Sequence, residues 1–350
     1  MTPPSSSVTL GWQASCIARG FSQGMLMNRF AATAFAALLA FALPAAAQES
    51  RTLRIGSVLD PNSPVMTGAA AMARAVEQAT GGHLKIALFP ASQLGQQREM
   101  WQNVQAGLLD GIIDASASMV NFVPQFAVLD LPFLVPDRDS AFRLLDGPVV
   151  QQELVARAAE KQFRVVRFWE ATFRNIYTRR PVNSIADLRG LKIRVIPNPS
   201  FIALFRELGA APTPMAFGEI YTSIQQGVID GAENDSITYL GSRHIEVARN
   251  IALTSHMMLI NTFVMSERQW QRLPAEQQAA LVSASLIGRQ ATVDDRDKKE
   301  GTILADIAAA GATITRPDLA PFRAAGQRTH AQFEERLGHD LVQRITDAAR

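Results

Sequence analysis

An α/β protein with a mainly parallel, doubly wound sheet in each of two lobes is the fold class that this 350-residue chain predicts. Three observations carry that prediction. Strand-like and helix-like segments alternate from Thr52 onward. A seven-residue phrase, QAGLLDG (Gln105 to Gly111), recurs as QQGVIDG (Gln225 to Gly231), each time between a helix and a strand. Taking 47 leader residues from 350 leaves 303, enough for two lobes of about 150 each.

The leader comes first. One basic residue, Arg29, precedes an uncharged apolar run from Phe30 to Leu43, then Pro44 and a small-residue stretch with Ala45 and Ala47 placed as an A-x-A signal. This is the layout of a secretory signal peptide, with a run too short to span a bilayer comfortably. Cleavage is expected after Ala47, and the length of the leader points to a translation start at Met25 or Met27. The leader's Arg19 and Arg29 account for the basic excess: without them, 32 of the 34 Lys+Arg remain against 32 Asp+Glu. A neutral chain implies no nucleic-acid or anionic-membrane partner. Cys16, the single cysteine, is lost with the leader, so no disulfide, thiolate nucleophile or cysteine metal ligand remains. An exported, cysteine-free chain fits a bacterial periplasm.

After the leader, TLRIGSVL (Thr52 to Leu59) reads as a strand and GAAAMARAVEQAT (Gly68 to Thr80) as an amphipathic helix stopped by Gly81-Gly82. LKIALFP is a strand closed by Pro90, REMWQNVQAG a helix ended by Gly107, and GIIDASA a third strand. This β-α-β-α-β order is that of a parallel sheet. RFWEATFRNIYT is a further strand, LKIRVIPNP (Leu191 to Pro199) a short one stopped by prolines, and SFIALFRELG a helix. HIEVARNIALTSHMMLINTFVMS supplies more strand, and a Pro-initiated helix follows whose DDRDKKE run reads as a solvated face. ATITRPD and two amphipathic helices finish the chain. The repeated Asp110 and Asp230 read as turn or cap residues rather than catalysts.

Enzyme signatures do not surface. The chain has no G-x-G-x-x-G or Walker loop and no G-x-S-x-G elbow, and its five histidines form no compact metal pattern. His244 and Glu246 alone lie close enough to share a metal, which is weak support for one. What stands out is Arg174 and Arg194, each inside a strand-like run and about twenty residues apart. Beyond the carboxyl ends of strands lies the ligand crevice of an open α/β sheet, and two arginines there suit a planar carboxylate. The pattern leaves two readings open: each arginine pairs with Glu170, Asp187 or another protein acid, or a carboxylate arrives from outside.

The motifs ASQLGQQREM, GLLDGIIDAS, VLDLPFL, FRNIYT, SIADLRGLKIRV, LGAAPTPMAFGEIYTSIQQGVIDGAEN and EVARNIALTSH, in order across residues 52 to 345, bring a family into view. The chain resembles the solute-binding components of tripartite ATP-independent periplasmic (TRAP) transporters, the C4-dicarboxylate and sialic-acid binding proteins. That resemblance implies a periplasmic-binding-protein fold, its two lobes joined by hinge strands and a long helix. It divides the chain into a leader (1–47), lobe I (48–171 plus about 260–299) and lobe II (172–259 plus about 300–350). It implies that Arg194 forms the main salt bridge to the ligand carboxylate, that Arg174 assists, that Asn234 reaches the ligand and that Phe217 lines the cleft. Trp169 and Glu170 stand where residues often approach the cleft, as wall or as structure, and Ser116 completes the expected ligand-binding set. His256 is expected in the interlobe core.

There are departures. Ala115 and Ser118 occupy positions where sialic-acid binders of this family carry a glutamate and an arginine, which argues against sialic acid; Ser63 replaces a histidine found in many relatives. The implied function is capture of a small organic acid and delivery to TRAP membrane subunits, without catalysis, cofactor, metal or nucleic acid. Service to an ATP-driven importer or a sensor kinase is the alternative, and a secreted enzyme a distant third. The sequence does not identify the acid.

Overall fold

The computed structural model describes residues 50–350; the leader, its cleavage signal and Cys16 lie outside the described residues. Strands β1 (Arg51–Gly56), β2 (Leu84–Phe89) and β3 (Gly111–Ala115) are connected by helices α1 (Pro64–Ala79) and α2 (Gln97–Ala106). The first helix starts a turn earlier than its alanine-rich run suggests, because Ser63 caps it: its hydroxyl accepts from the Met66 amide, and Pro64 has a backbone preset for the first turn. Helices α3 (Arg138–Asp146) and α4 (148–160, with a π turn at Gln151–Val155) lead to a long strand, β4 (Phe163–Thr178).

The same scheme is built a second time. Strands β5 (Lys192–Val195), β6 (Ala211–Pro214) and β7 (Gly231–Asn234) alternate with α5 (Pro199–Glu207) and α6 (Ile220–Gln225). Helix α7 (Ser236–Gly241), the long strand β8 (Asn250–Ser266) and the 26-residue helix α8 (Ala275–Glu300) follow. The chain closes with α9 (Ile303–Ala309), β9 (Thr313–Thr315), α10 (Ala320–Leu337) and α11 (His339–Ala348).

All nine strands of the described residues belong to one sheet, in the order β2-β1-β3-β8-β4-β7-β5-β6 with β9 also on β8. Pairing is parallel at both ends (β1 with β2 and β3, β5 with β6 and β7), and antiparallel where β4 and β8 join the ends. The two parallel sheets expected of two lobes are thus continuous through β4 and β8, which pair from Phe163↔Ser266 to Thr178↔Asn250. Their ladder is broken near the middle: Arg174 pairs with Met257 and Ile176 with Ala252, so Asn175 alone faces residues 253–256. Ser255 takes a positive φ of 45° there, and its amide donates to Asn175 Oδ1 at 3.1 Å. Such irregularities re-aim neighbouring side chains, and this one adjoins Arg174.

The repeated phrase does the same work twice. Gly107 and Gly227 end α2 and α6 with φ of 79° and 75°, a conformation that favours glycine. Asp110 Oδ2 then accepts from the Arg54 amide of β1 at 2.9 Å, and Asp230 Oδ2 from the Lys192 amide of β5 at 2.8 Å. Each aspartate ties the start of its strand to the neighbouring parallel strand.

Helix α8 lies across α1 at very close approach. A Cβ on Gly68 would stand 2.0 Å from Thr292 Oγ1 and 2.3 Å from the Gly288 carbonyl oxygen. Gly68→Ala is therefore expected to lower stability by about 1–3 kcal/mol through overpacking. A urea midpoint equal to the wild type's would contradict this packing. The DDRDKKE run of α8 is not wholly solvated: Arg296 is buried and ion-paired to Glu170. One face of the helix turns that arginine inward onto β4, where composition alone predicts solvent.

Candidate binding site

Arg174 and Arg194 meet in one cavity. Antiparallel pairing of β4 with β7 (Asn175↔Asn234, Ile176↔Glu233) and parallel pairing of β5 with β7 (Arg194↔Ala232) bring the three strands together. The cavity, about 30 Å³, is lined by Arg174, Arg194, Asn234, Phe217, Gln97, Asp114, Ala115, Thr238, Asn261, Val58, Leu59, Ile196 and Leu259. A larger cavity of about 390 Å³ shares Leu59 and Thr238 with it, and carries Asp60, Asn62, Ser63, Lys299, Thr302 and Asp306 on its walls. The small cavity has room for about two waters, hence for a carboxylate group and little more.

Both arginines are 1% exposed, but their surroundings differ. Arg174 is fully engaged: it ion-pairs with Glu233 through Nε, and Nη2 donates to Glu233 Oε1 at 2.8 Å and to the Glu233 carbonyl at 2.6 Å. Its Nη1 donates to Asn234 Oδ1 at 3.2 Å, and Phe201 lies under the guanidinium. Burial works against Arg174's charge, and the Glu233 carboxylate more than offsets it. Glu233 also has His256 Nε2 at 3.6 Å; burial works against its charge, and the Arg174 guanidinium, with His256 assisting, holds its carboxyl below the usual range.

Arg194 donates from Nε to the Met215 carbonyl at 3.0 Å, and among the described residues no carboxylate ion-pairs with it. Burial lowers its pKa to about 10, and the nearby Arg174 charge adds to that while Glu233 opposes it. It remains a cation at neutral pH. A buried guanidinium without a protein counter-ion is costly.

The acids named as structural partners for these arginines are engaged elsewhere. Glu170 pairs with Arg296, and Asp187 caps the turn at Ser184, accepting from the Asn183 and Ser184 amides at 2.9 Å. Of the other expected residues, Asn234 and Phe217 line the cavity; Trp169, Glu170 and Ser116 do not. Trp169 packs in the core against Phe263 and α8, Glu170 faces Arg296 and Asn261 from the same strand, and Ser116 is buried at the turn after β3. His256 is buried between Glu233, Thr254 and Phe205. His244 and Glu246 bond to separate partners, Tyr177 and Tyr221, and among the described residues no three potential ligands are grouped as a metal site requires.

Sequence reasoning missed Gln97, Asp114, Thr238 and Asn261. A signal existed for Asp114, which stands near the carboxyl end of its strand as Arg194 does. Burial pushes its carboxyl up to about 6, with Gln97, Trp101 and Arg194 opposing. Asp130, buried where Asn198 Nδ2 donates to it at 2.7 Å, is pushed up to about 7 by burial. The native state thus holds this proton more tightly than the unfolded chain, so stability falls as pH rises from about 4 to about 7. Asp130→Asn is expected to flatten that slope, leaving the part that Asp114 contributes, and, above pH 7, to exceed the wild type by a few kcal/mol, roughly 1.4 per pKa unit. Urea titrations at pH 5 and pH 8 check it; an unchanged slope contradicts it.

Two parallel sheet ends bridged by long strands, with a buried arginine at the crevice, define a two-lobed binding-protein architecture. The model of the family described as "Bacterial extracellular solute-binding protein, family 7" matches residues 55–336. The sialic acid-binding periplasmic protein SiaP of Vibrio cholerae is 30% identical over 313 residues, spanning 88% of this chain and 96% of that one. A TRAP periplasmic solute-binding protein from Bradyrhizobium, in complex with D-galacturonate, superposes with a TM-score of 0.81 at 32% identity, covering 85% of this chain and 100% of that one. A Polaromonas counterpart bound to D-erythronate has a TM-score of 0.81 at 29% identity, covering 85% and 98%. The chain belongs to bacterial extracellular solute-binding protein family 7, the periplasmic solute-binding proteins of TRAP transporters. It is a binding protein and not an enzyme.

Proposed function

We propose that this protein captures an organic acid, of the sugar-acid class that relatives bind, with its carboxylate on Arg194. The observation that carries the reading is a buried guanidinium to which, among the described residues, no protein carboxylate is ion-paired, in a cavity that Arg174 and Asn234 also line. Arg174, already neutralised by Glu233, supports the ligand group and holds Asn234. Phe217 walls the cavity. The remainder of the acid extends toward the larger cavity, whose walls carry side chains suited to hydroxyl groups.

The halves that close on the ligand are residues 48–171 with about 260–299, and 172–259 with about 300–350. Closure follows because the ligand contacts both halves only in the closed state, and it shifts the equilibrium by no more than that difference. The signal peptide, cleaved after Ala47, carries the protein to the periplasm, where it delivers the acid to TRAP membrane subunits. A thermal-shift screen of sugar acids, hydroxy acids, keto acids and dicarboxylates tests the reading. A bound acid raises the melting temperature with concentration; a screen in which no carboxylate does so contradicts it.

A further inference from the structure

We propose that Glu170, which does not itself line the cavity, is a positioning residue: it holds the side-chain amide of Asn261 so that the amide oxygen, and not the nitrogen, meets the bound acid. This rests on the carboxylate reading of the cavity and adds how the site treats the atom next to the carboxylate. Glu170 and Asn261 are paired across β4 and β8, and Asn261 Nδ2 donates to Glu170 Oε2 at 2.6 Å. The other oxygen, Oε1, is ion-paired to Arg296. A carboxyl paired in this way is ionised and has lone pairs only, so it accepts the amide nitrogen and refuses the amide oxygen. The two ends of an amide point apart. Asn261 lines the small cavity, and its Oδ1 receives no hydrogen bond from any described residue, so the oxygen is the end left for a ligand.

Arg174 and Arg194 are donors only, and they take the carboxylate. A cavity of about 30 Å³ holds that group and little more, which puts Asn261 Oδ1 beside the substituent on C2 of the acid. A hydroxyl there brings a proton to the oxygen. A carbonyl there sets acceptor against acceptor, and both are then unpaired in a site with almost no water. Without the Glu170 carboxylate the amide is free to reverse and to donate to that carbonyl. A buried acid outside the cavity thus sets the polarity of a group inside it.

Isothermal titration calorimetry tests this with two pairs of equally charged acids, D-erythronate against its 2-oxo counterpart and D-glycerate against hydroxypyruvate. The wild type is expected to favour the hydroxy member of any pair it binds by about tenfold or more. Glu170→Gln is expected to narrow that ratio to about threefold or less, because a glutamine neighbour suits either direction of the Asn261 amide. A purely structural loss would weaken both members alike and leave the ratio unchanged. In an Asn261→Ala background, adding Glu170→Gln is expected to leave the ratio unmoved, since Glu170 acts through Asn261. Glu170→Gln is expected to fold, as Arg296 keeps Asp235, Glu300 and Thr172. Should it not, Glu170→Asp takes its place: the charge that Arg296 pairs with is kept, and a side chain one methylene shorter releases the amide. Equal wild-type affinity within a pair overturns the inference, and so does an unchanged ratio in whichever Glu170 variant folds. Binding of no member of either pair overturns the sugar-acid reading itself, and this inference with it.

Discussion

Replacing Arg194 with alanine is expected to weaken binding of the acid by about 2–5 kcal/mol, because the ligand's charge is then buried without a counter-ion. The loss is expected largely in the dissociation rate, as for a buried charge pair rather than a rim charge. Arg194→Lys is expected to bind more weakly than the wild type as well. An ammonium cannot present the planar fork that meets two carboxylate oxygens, nor keep the Nε bond to the Met215 carbonyl. Arg194→Ala is expected to fold, since it removes a buried charge to which no protein acid is ion-paired. Calorimetry with the acid selected by thermal shift reads the effect, and wild-type affinity in Arg194→Ala would sink the assignment.

The largest expected effect on stability comes from Arg296→Ala. Arg296 projects from α8 into the sheet and is surrounded by acids: Glu170 of β4 is ion-paired to it, and Asp235 Oδ1 and Glu300 Oε1 stand at 3.4 Å. Its Nη1 also donates to Thr172 Oγ1 at 3.3 Å. Burial raises the Glu170 carboxyl, and Arg296 is the main group opposing that rise. Removal of the arginine leaves two buried carboxylates facing one another, a change that costs about 3–5 kcal/mol where a buried pair is broken. The melting temperature is expected to fall by roughly 10 °C. Asp235 also caps α7, accepting from the Ile237 and Thr238 amides at 3.1 Å, so the damage reaches the cavity wall at Thr238. A melting temperature within about 2 °C of the wild type would contradict the account of this network.

Much of this architecture was legible in the chain. Period and punctuation located the helices, because a glycine stop such as Gly107 acts through local backbone geometry, although the Ser63-Pro64 start of α1 was passed over. The QAGLLDG and QQGVIDG phrases marked two equivalent strand starts, and Asp110 and Asp230 are the ties that a turn or cap reading suggests. Strand pairing was less legible. Nothing local tells that Glu233 reaches Arg174 while Arg194 is left without an acid; that follows from β7 lying between β4 and β5. Arg296 was hidden for the same reason, since a charge run reads as solvent until α8 is laid across β4. Trp169 and Glu170 lie on the same strand as Arg174, but Glu170 is taken up by Arg296 and Asn261 and Trp169 by the core against Phe263, partners that the strand's own sequence does not name. Asp114 was within reach of the rule that singled out the arginines, had carboxylates at strand ends been weighed with them.

The most direct test is a crystal structure of the protein with the acid that gives the largest thermal shift. The account predicts the carboxylate oxygens within hydrogen-bond distance of the Arg194 terminal nitrogens, with Asn234 and Phe217 in contact with the ligand. An acid bound with its carboxylate elsewhere, and Arg194 still without an anionic partner, would contradict it.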